Sequence, residues 1–259
     1  MTKSSTMTKL RNVLEATAPC VLVKNGKFKS FRTRSKDGLI GRVLSGLTTR
    51  LSERVFSQGD LPESTTRCRV WRGGRWGGKS GGRRRGSAVD AQLTKIANTG
   101  RLPSNPPLKL TSMLLKAFER KKYALISGQR GVASVAHGIG TALDLVCLDE
   151  RNDELVLIEL KCGFDGNRMD AVTRSGRVLK LKPPLDAACD CAYHRHIVQL
   201  AVAANMFCSE DETIRSLKGM GVKGVRSELV YASDLDVEFV QLQEWWKKRS
   251  GRVLSVISN

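Results

Sequence analysis

The spacing of apolar positions changes several times along the chain, and each change marks an element. Val89, Leu93, Ile96 and Ala97 recur at helical spacing behind Ser87, a residue suited to capping a helix N-terminus. Residues 98–107 form a proline-containing linker, and Leu110, Met113, Leu114, Ala117 and Phe118 then mark a second amphipathic helix. Residues 129–136, 141–148 and 155–161 read as strands. A basic loop follows, with Arg168, Arg174, Arg177, Lys180 and Lys182, and after it a helix whose apolar face holds Ile197, Leu200, Ala201 and Ala204. Residues 228–232 and 237–240 are further strands, and 242–248 a closing helix. Helices flanking a central mixed sheet place the chain in the α/β (α+β) class.

The beginning of the chain is less regular. Residues 20–23 read as a short strand and 39–51 as a helix, but 1–63 carry no motif and are expected to be a basic N-terminal region of unknown fold. Residues 64–86 hold eight Lys or Arg, seven Gly and two Trp with no acid. Such a run cannot bury a core and is expected to be a flexible arm. The expected globular domain is then 87–259.

Composition sharpens this picture. With 41% hydrophobic residues the chain can bury a core. Its 44 Lys and Arg against 25 Asp and Glu give a formal charge of +19. Residues 1–90 contribute 20 basic and 6 acidic side chains to that excess. A positive charge concentrated at one end points to a polyanionic partner, nucleic acid first and an anionic membrane surface second. No apolar run approaches the length of a membrane span. Residues 1–18 lack the apolar stretch of a secretory signal, while Glu15 is the only acid in the first 36 residues, a composition compatible with an organelle transit peptide. Seven cysteines, an odd number, are expected to be reduced thiols in an intracellular compartment, nucleus or cytoplasm.

The most informative stretch is 140–163, GTALDLVCLDERNDELVLIELKCG. Two apolar runs surround the polar residues 150–153, which predicts a hairpin. A tight turn between Arg151 and Asn152 sets Asp144 opposite Glu159, and alternation puts Lys161 on Glu159's face. Two carboxylates directly across a sheet repel. A hard divalent cation such as Mg²⁺ (or Mn²⁺) between them would relieve that repulsion, and Lys161 could hold or deprotonate a bound water. The plain alternative is a surface hairpin with a weak ion pair to Lys161. Leu143, Leu145, Val156 and Ile158 argue instead for a strand buried on at least one face, where charges need a functional reason.

Asp144 followed by Glu159-Leu160-Lys161 resembles the PD-(D/E)XK nuclease superfamily. The wording ELKCGF at 159–164 is especially similar to the branch of lambda-type phage exonucleases, alkaline nucleases and RecB-like nucleases. The resemblance covers about 86–240, and Leu143 stands where the family name has Pro. It implies a restriction-endonuclease-like core and a metal-dependent deoxyribonuclease, more an exonuclease than an endonuclease, acting in recombination, repair or genome processing. DNA, as a double-stranded end or a single strand, is the implied partner, with room for a recombination or replication protein. It further implies that Asp144, Glu159 and the carbonyl of Leu160 hold the metal while Lys161 assists the attacking water. Gln199, on a downstream helix, matches the family's helix glutamine; the plain alternative is a solvated side chain or one that caps a nearby carbonyl. An acid from an upstream helix is also implied, with two candidates. Glu119 follows Phe118 in an LFE-like segment, but could simply pair with Lys116 or Lys122. Asp90 lies in the first helix, but Ser87-x-x-Asp90 is also a capping-box pattern.

Three other signals compete. Residues 73–80, GGRWGGKS, satisfy the P-loop pattern, yet the glycines and arginines that follow are poor at starting the required helix. The same run reads better as a nucleic-acid arm. There Trp71 and Trp76 stack on bases among Arg72 and Arg75, and Arg83, Arg84 and Arg85, with Arg174, Arg177 and Lys180, meet phosphates. A solvated linker or nuclear-import signal is the alternative. Cys189, Cys191, His194 and His196 sit too close in sequence for a common zinc finger. A non-catalytic nucleic-acid-binding protein that kept the fold remains the main rival to the enzyme.

Overall fold

A computed structural model describes residues 3–25, 28–35, 37–57, 81–102, 105–162, 168–173 and 176–258. Arg72, Arg75, Trp71, Trp76 and Arg174, the P-loop-like segment and most of the expected arm lie outside these residues, as does the side chain of Arg83. The described elements run α1 (Lys3–Ala16), β1 (Cys20–Asn25), β2 (Phe28–Arg34), β3 (Ile40–Gly46), α2 (Leu47–Arg54), α3 (Gly81–Thr99), α4 (Lys109–Lys121), β4 (Tyr123–Ser134), β5 (Ile139–Asp149), β6 (Glu154–Cys162), α5 (Ala192–Cys208), α6 (Asp211–Gly219), β7 (Gly224–Ala232), β8 (Val237–Gln241) and α7 (Glu244–Ser258).

One mixed sheet of eight strands organises them. β1, β2 and β3 form an antiparallel meander, and β3 joins β5 in parallel over Ser45–Ile139 and Gly46–Gly140 only. β4 pairs along the whole of β5 on one edge. On its other edge β5 meets β3 at its start and β6 at its end, where Leu145 faces Ile158 and Asp149 faces Glu154. β6 then pairs with β7 in parallel, and β7 with β8 in antiparallel fashion. Between the β3 and β6 contacts, residues 141–144 of β5 carry no ladder partner on that edge, so the sheet forks there.

The two faces of the sheet bury different helices. One packs α1, α2, α5, α6 and α7 through Leu14, Leu51, Ile197, Leu217 and Ile257 against Leu143, Val146, Leu157 and Leu229. The other packs α3 and α4 through Val89, Leu93, Leu114 and Phe118 against Leu145, Val156, Ile158 and Val230. Because strand residues alternate between faces, the hairpin β5–β6 is apolar on both, which accounts for its nearly unbroken hydrophobic run. Among the described residues no helix is long and apolar enough to cross a membrane.

Several sequence expectations need correcting. Residues 39–51 are not one helix: β3 ends at Gly46, and of the apolar positions only Leu47 and Leu51, about one turn apart, fall in α2 and are buried there. Ser87 caps nothing, because α3 starts six residues earlier at Gly81, through the glycines and arginines expected to break it. Tertiary contacts there outweigh weak propensity: Arg85 is buried against Asp234 of the β7–β8 turn. A helix therefore begins two residues after Lys79, where the sequence predicted none, while the P-loop-like run 73–80 lies outside the described residues. α6 was not foreseen, being two turns long with only Thr213 and Leu217 buried. The described residues between 3 and 57 are not separable from the rest, since Leu10, Leu14, Leu47, Leu51 and Val55 belong to the main core. Arg11 also ties α1 to α3 and β4 through the carbonyls of Ala97, Ile126 and Leu125.

Candidate functional site

The fork in the sheet gathers the charged groups. The hairpin register continues from Leu145–Ile158, so Asp144 falls opposite Glu159. There the strands part, and the Leu160 amide finds no backbone acceptor on β5. The carboxylate of Asp144 replaces one: its Oδ2 accepts from Leu160 N at 2.8 Å. Lys161 shares Glu159's side of β6, and its Nζ lies 2.5 Å from Glu159 Oε1.

A third acid arrives from the opposite layer. Asp90, Thr94 and Asn98 are spaced four apart on α3 and face β4. Asn98 bonds both backbone groups of Gly128, donating to its carbonyl at 3.3 Å and accepting from its N–H at 2.7 Å. A Cβ at Gly128 would stand 2.5 Å from Thr94 Cα, so only glycine lets the helix approach this closely. The next residue, Gln129, sits at φ 54°, and its Nε2 donates to Asp90 Oδ1 at 3.0 Å and to Asp144 Oδ1 at 3.1 Å. A cleft of about 780 Å³ runs from α1 and β1 to Asp90 and Gln129.

Electrostatics set this pair of acids apart. Other buried carboxylates pair with arginine: Asp190 with Arg195, Glu210 with Arg130, and Asp149 and Glu228 with Arg226, which they share. Asp144 and Glu159 share the single ammonium of Lys161. Burial, then repulsion from Asp144, pushes Glu159 up to about 7 against the pull of Lys161. Burial likewise raises Asp144, despite Lys161, the Leu160 amide and Gln129. Lys161 is raised too: burial alone would lower it, but Glu159 and Asp144 outweigh burial and hold it charged. On the far side, His196 Nδ1 lies 2.9 Å from the Tyr231 hydroxyl. Burial, together with Lys161, Arg168 and Arg195, holds that imidazole well below its ordinary range, hence neutral.

No protein-family model matches this chain, and no curated protein does.

The donors gathered there are oxygens of Asp144, Glu159 and Asp90, with excess negative charge, a set that fits a hard divalent cation in kind. They are not drawn into a ready cage. Among the described residues no group of three or more His, Cys, Asp or Glu is arranged to hold a metal ion. The reason is visible: Glu159 is turned to Lys161, and both oxygens of Asp144 accept hydrogen bonds.

The other sequence candidates fall in varied places. Gln199 is half-buried one turn beyond His196 on α5 and makes no side-chain hydrogen bond among the described residues. Glu119 is not at the fork. α4 docks Leu114 and Phe118 against the hairpin end of the sheet, and Glu119 lines a hollow there with Lys122 and Glu150. Tyr123 pairs with Asp149, so this hollow lies roughly 16 Å along β5 from Asp144. Arg85 is consumed by Asp234, whereas Arg84, Arg177 and Lys180 are exposed. The capping-box alternative for Asp90 fails, because Ser87 is interior to α3. The Cys189–His196 segment does not converge: His194 Nδ1 meets the Cys189 carbonyl at 2.7 Å, Cys191 Sγ caps α5, and His196 meets Tyr231. Gln129 is the residue that sequence reasoning missed. Its one signal is Gly128 before it, since a glycine inside a strand often marks the close approach of another backbone.

Proposed function

We propose that the protein is a Mg²⁺- or Mn²⁺-dependent deoxyribonuclease of the PD-(D/E)XK type, with a restriction-endonuclease-like core built on β4, β5, β6 and β7. The observation that carries this reading is the meeting of Asp144 and Glu159 at the sheet fork with the Lys161 ammonium 2.5 Å from Glu159. Charged groups inside a hairpin buried on both faces have no packing reason to be there.

Asp144 and Glu159, with Asp90 as the helix acid, would hold the cation, and the Leu160 carbonyl joins them by the resemblance. When bound, such an ion polarises a phosphodiester and acidifies a water at neutral pH. Lys161, kept protonated by its two acids, orients that water and offsets charge developing on the phosphate. Leu160 fixes Asp144 through its amide, so the carboxylate cannot rotate freely. Water adds to phosphorus as the bond to the leaving oxygen breaks, and the leaving oxygen takes up a proton. The basic excess of the chain, with Arg84, Arg177 and Lys180 on the surface, supplies the sequence-independent attraction for DNA. Exonucleolytic action in recombination, repair or genome processing is the role we favour, with a recombination or replication protein as a further partner.

The test is a divalent-metal-dependent assay on end-labelled linear and covalently closed circular DNA, with Lys161→Ala beside the wild type. Release of labelled nucleotides from linear DNA only, lost in Lys161→Ala, is the expected result. DNA binding without cleavage in both Mg²⁺ and Mn²⁺ would favour the non-catalytic binding protein instead.

A further inference from the structure

Gln129 stands across the ladder from Asp144, between the Gly128–Leu145 and Arg130–Leu143 pairs. Its φ of 54° is a left-handed conformation that a non-glycine residue holds only when its surroundings impose it. Both neighbours do so. Asn98 clamps Gly128 through its two backbone groups, and Arg130 is buried in an ion pair with Glu210 at 2.6 Å. The conformation turns the Gln129 side chain into the cleft mouth, where it is exposed to solvent yet bridges Asp90 and Asp144. Asp144 Oδ2 is held by Leu160, so Oδ1 is the oxygen not committed to backbone, and the Gln129 amide covers it.

A neutral NH₂ between two carboxylates does part of what a cation would do, and it competes for the same atom. We infer that Gln129 is an exchangeable placeholder that steadies Asp90 and Asp144 in the cation-free protein and must release Asp144 Oδ1 when the cation enters. Gln129 thereby sets the concentration at which the site loads. This rests on the metal-dependent reading above and makes Gln129 a positioning residue. A merely structural bridge would remain bonded in the loaded state, and its removal would weaken loading or leave it unchanged.

Calorimetric titration of Mn²⁺ and Mg²⁺ into the metal-free full-length protein tests this. Gln129→Asn keeps a residue tolerant of the left-handed backbone but is one methylene too short to bridge; Gln129→Gly removes both strain and amide. Both variants are expected to bind roughly tenfold tighter than wild type, the effect of freeing about one charge-assisted hydrogen bond. Binding only in the variants also supports the inference. Equal or weaker binding in either folded variant overturns it and leaves the nuclease reading standing, whereas silence from wild type and both variants overturns the two together.

Discussion

Asp144 reaches across the sheet fork to accept the Leu160 amide at 2.8 Å, doing with a side chain what the next ladder residue would have done with its backbone. The contact gives Asp144 two separable duties, charge and hydrogen-bond acceptance.

Asp144→Asn and Asp144→Ala should therefore part company. Asn keeps an acceptor for Leu160 and removes a repulsive charge facing Glu159, but turns an NH₂ toward Gln129 Nε2, so the cation-free variant should lose clearly less stability than Ala. Ala leaves a half-buried amide without its partner, at a cost of about 1–3 kcal/mol. In the proposed enzyme both abolish cleavage. Urea unfolding in the presence of chelator separates the two, and equal destabilisation by Asn and Ala would contradict this division of roles.

Gly128 is the point where α3 touches β4. A methyl group there would meet Thr94 Cα at 2.5 Å, and backbone cannot swing aside as a long side chain can. Gly128→Ala should cost about 1–3 kcal/mol through displacement of α3, and should carry Asp90 away from Gln129. Chemical denaturation gives the first quantity. A loss below about 0.5 kcal/mol would mean that the helix yields easily.

Arg84 and Arg85 are adjacent in sequence but do different work. Arg85 is 8% exposed and bonded to Asp234. Arg85→Ala should cost about 3 kcal/mol by stranding a partly buried carboxylate. Arg84→Ala should lower the salt dependence of DNA binding by about one counterion. Melting curves and binding isotherms at several salt concentrations check both. A salt slope changed by Arg85→Ala alone would reverse the assignment.

This contrast shows what the sequence makes legible and what it hides. The hairpin register, and with it Asp144 facing Glu159 and Lys161 beside Glu159, follows from alternation and turn length, both local properties. The α/β class follows from periodicity in the same way. Arg85 and Glu119 depend on where a helix docks, which no local pattern encodes: one is drawn to a turn 149 residues away, the other to the wrong end of β5. The start of α3 and the entry of α1 and α2 into the main core are likewise tertiary outcomes. Gln129 was hidden for a further reason, because its importance lies in a backbone angle rather than in its residue type.

Glu159 makes the cation-free protein sensitive to pH. Burial and Asp144 raise its carboxyl from 4.5 to about 7 in the folded state, while in the unfolded chain it ionises near the ordinary value. Between those two values the folded protein binds the proton and the unfolded chain does not, so protonation favours folding. This stabilisation is fully present below about 4.5 and is lost as pH rises through about 7. Glu159→Gln mimics the protonated form at every pH and keeps an acceptor for Lys161. At pH of about 8 the variant should exceed wild type by about 3 kcal/mol, and by pH of about 4 the two should converge. Urea unfolding of both proteins with chelator across this range reads the difference directly. A gap that stays constant with pH would place the Glu159 titration outside this window and remove the argument that repulsion from Asp144 primes the fork for a cation.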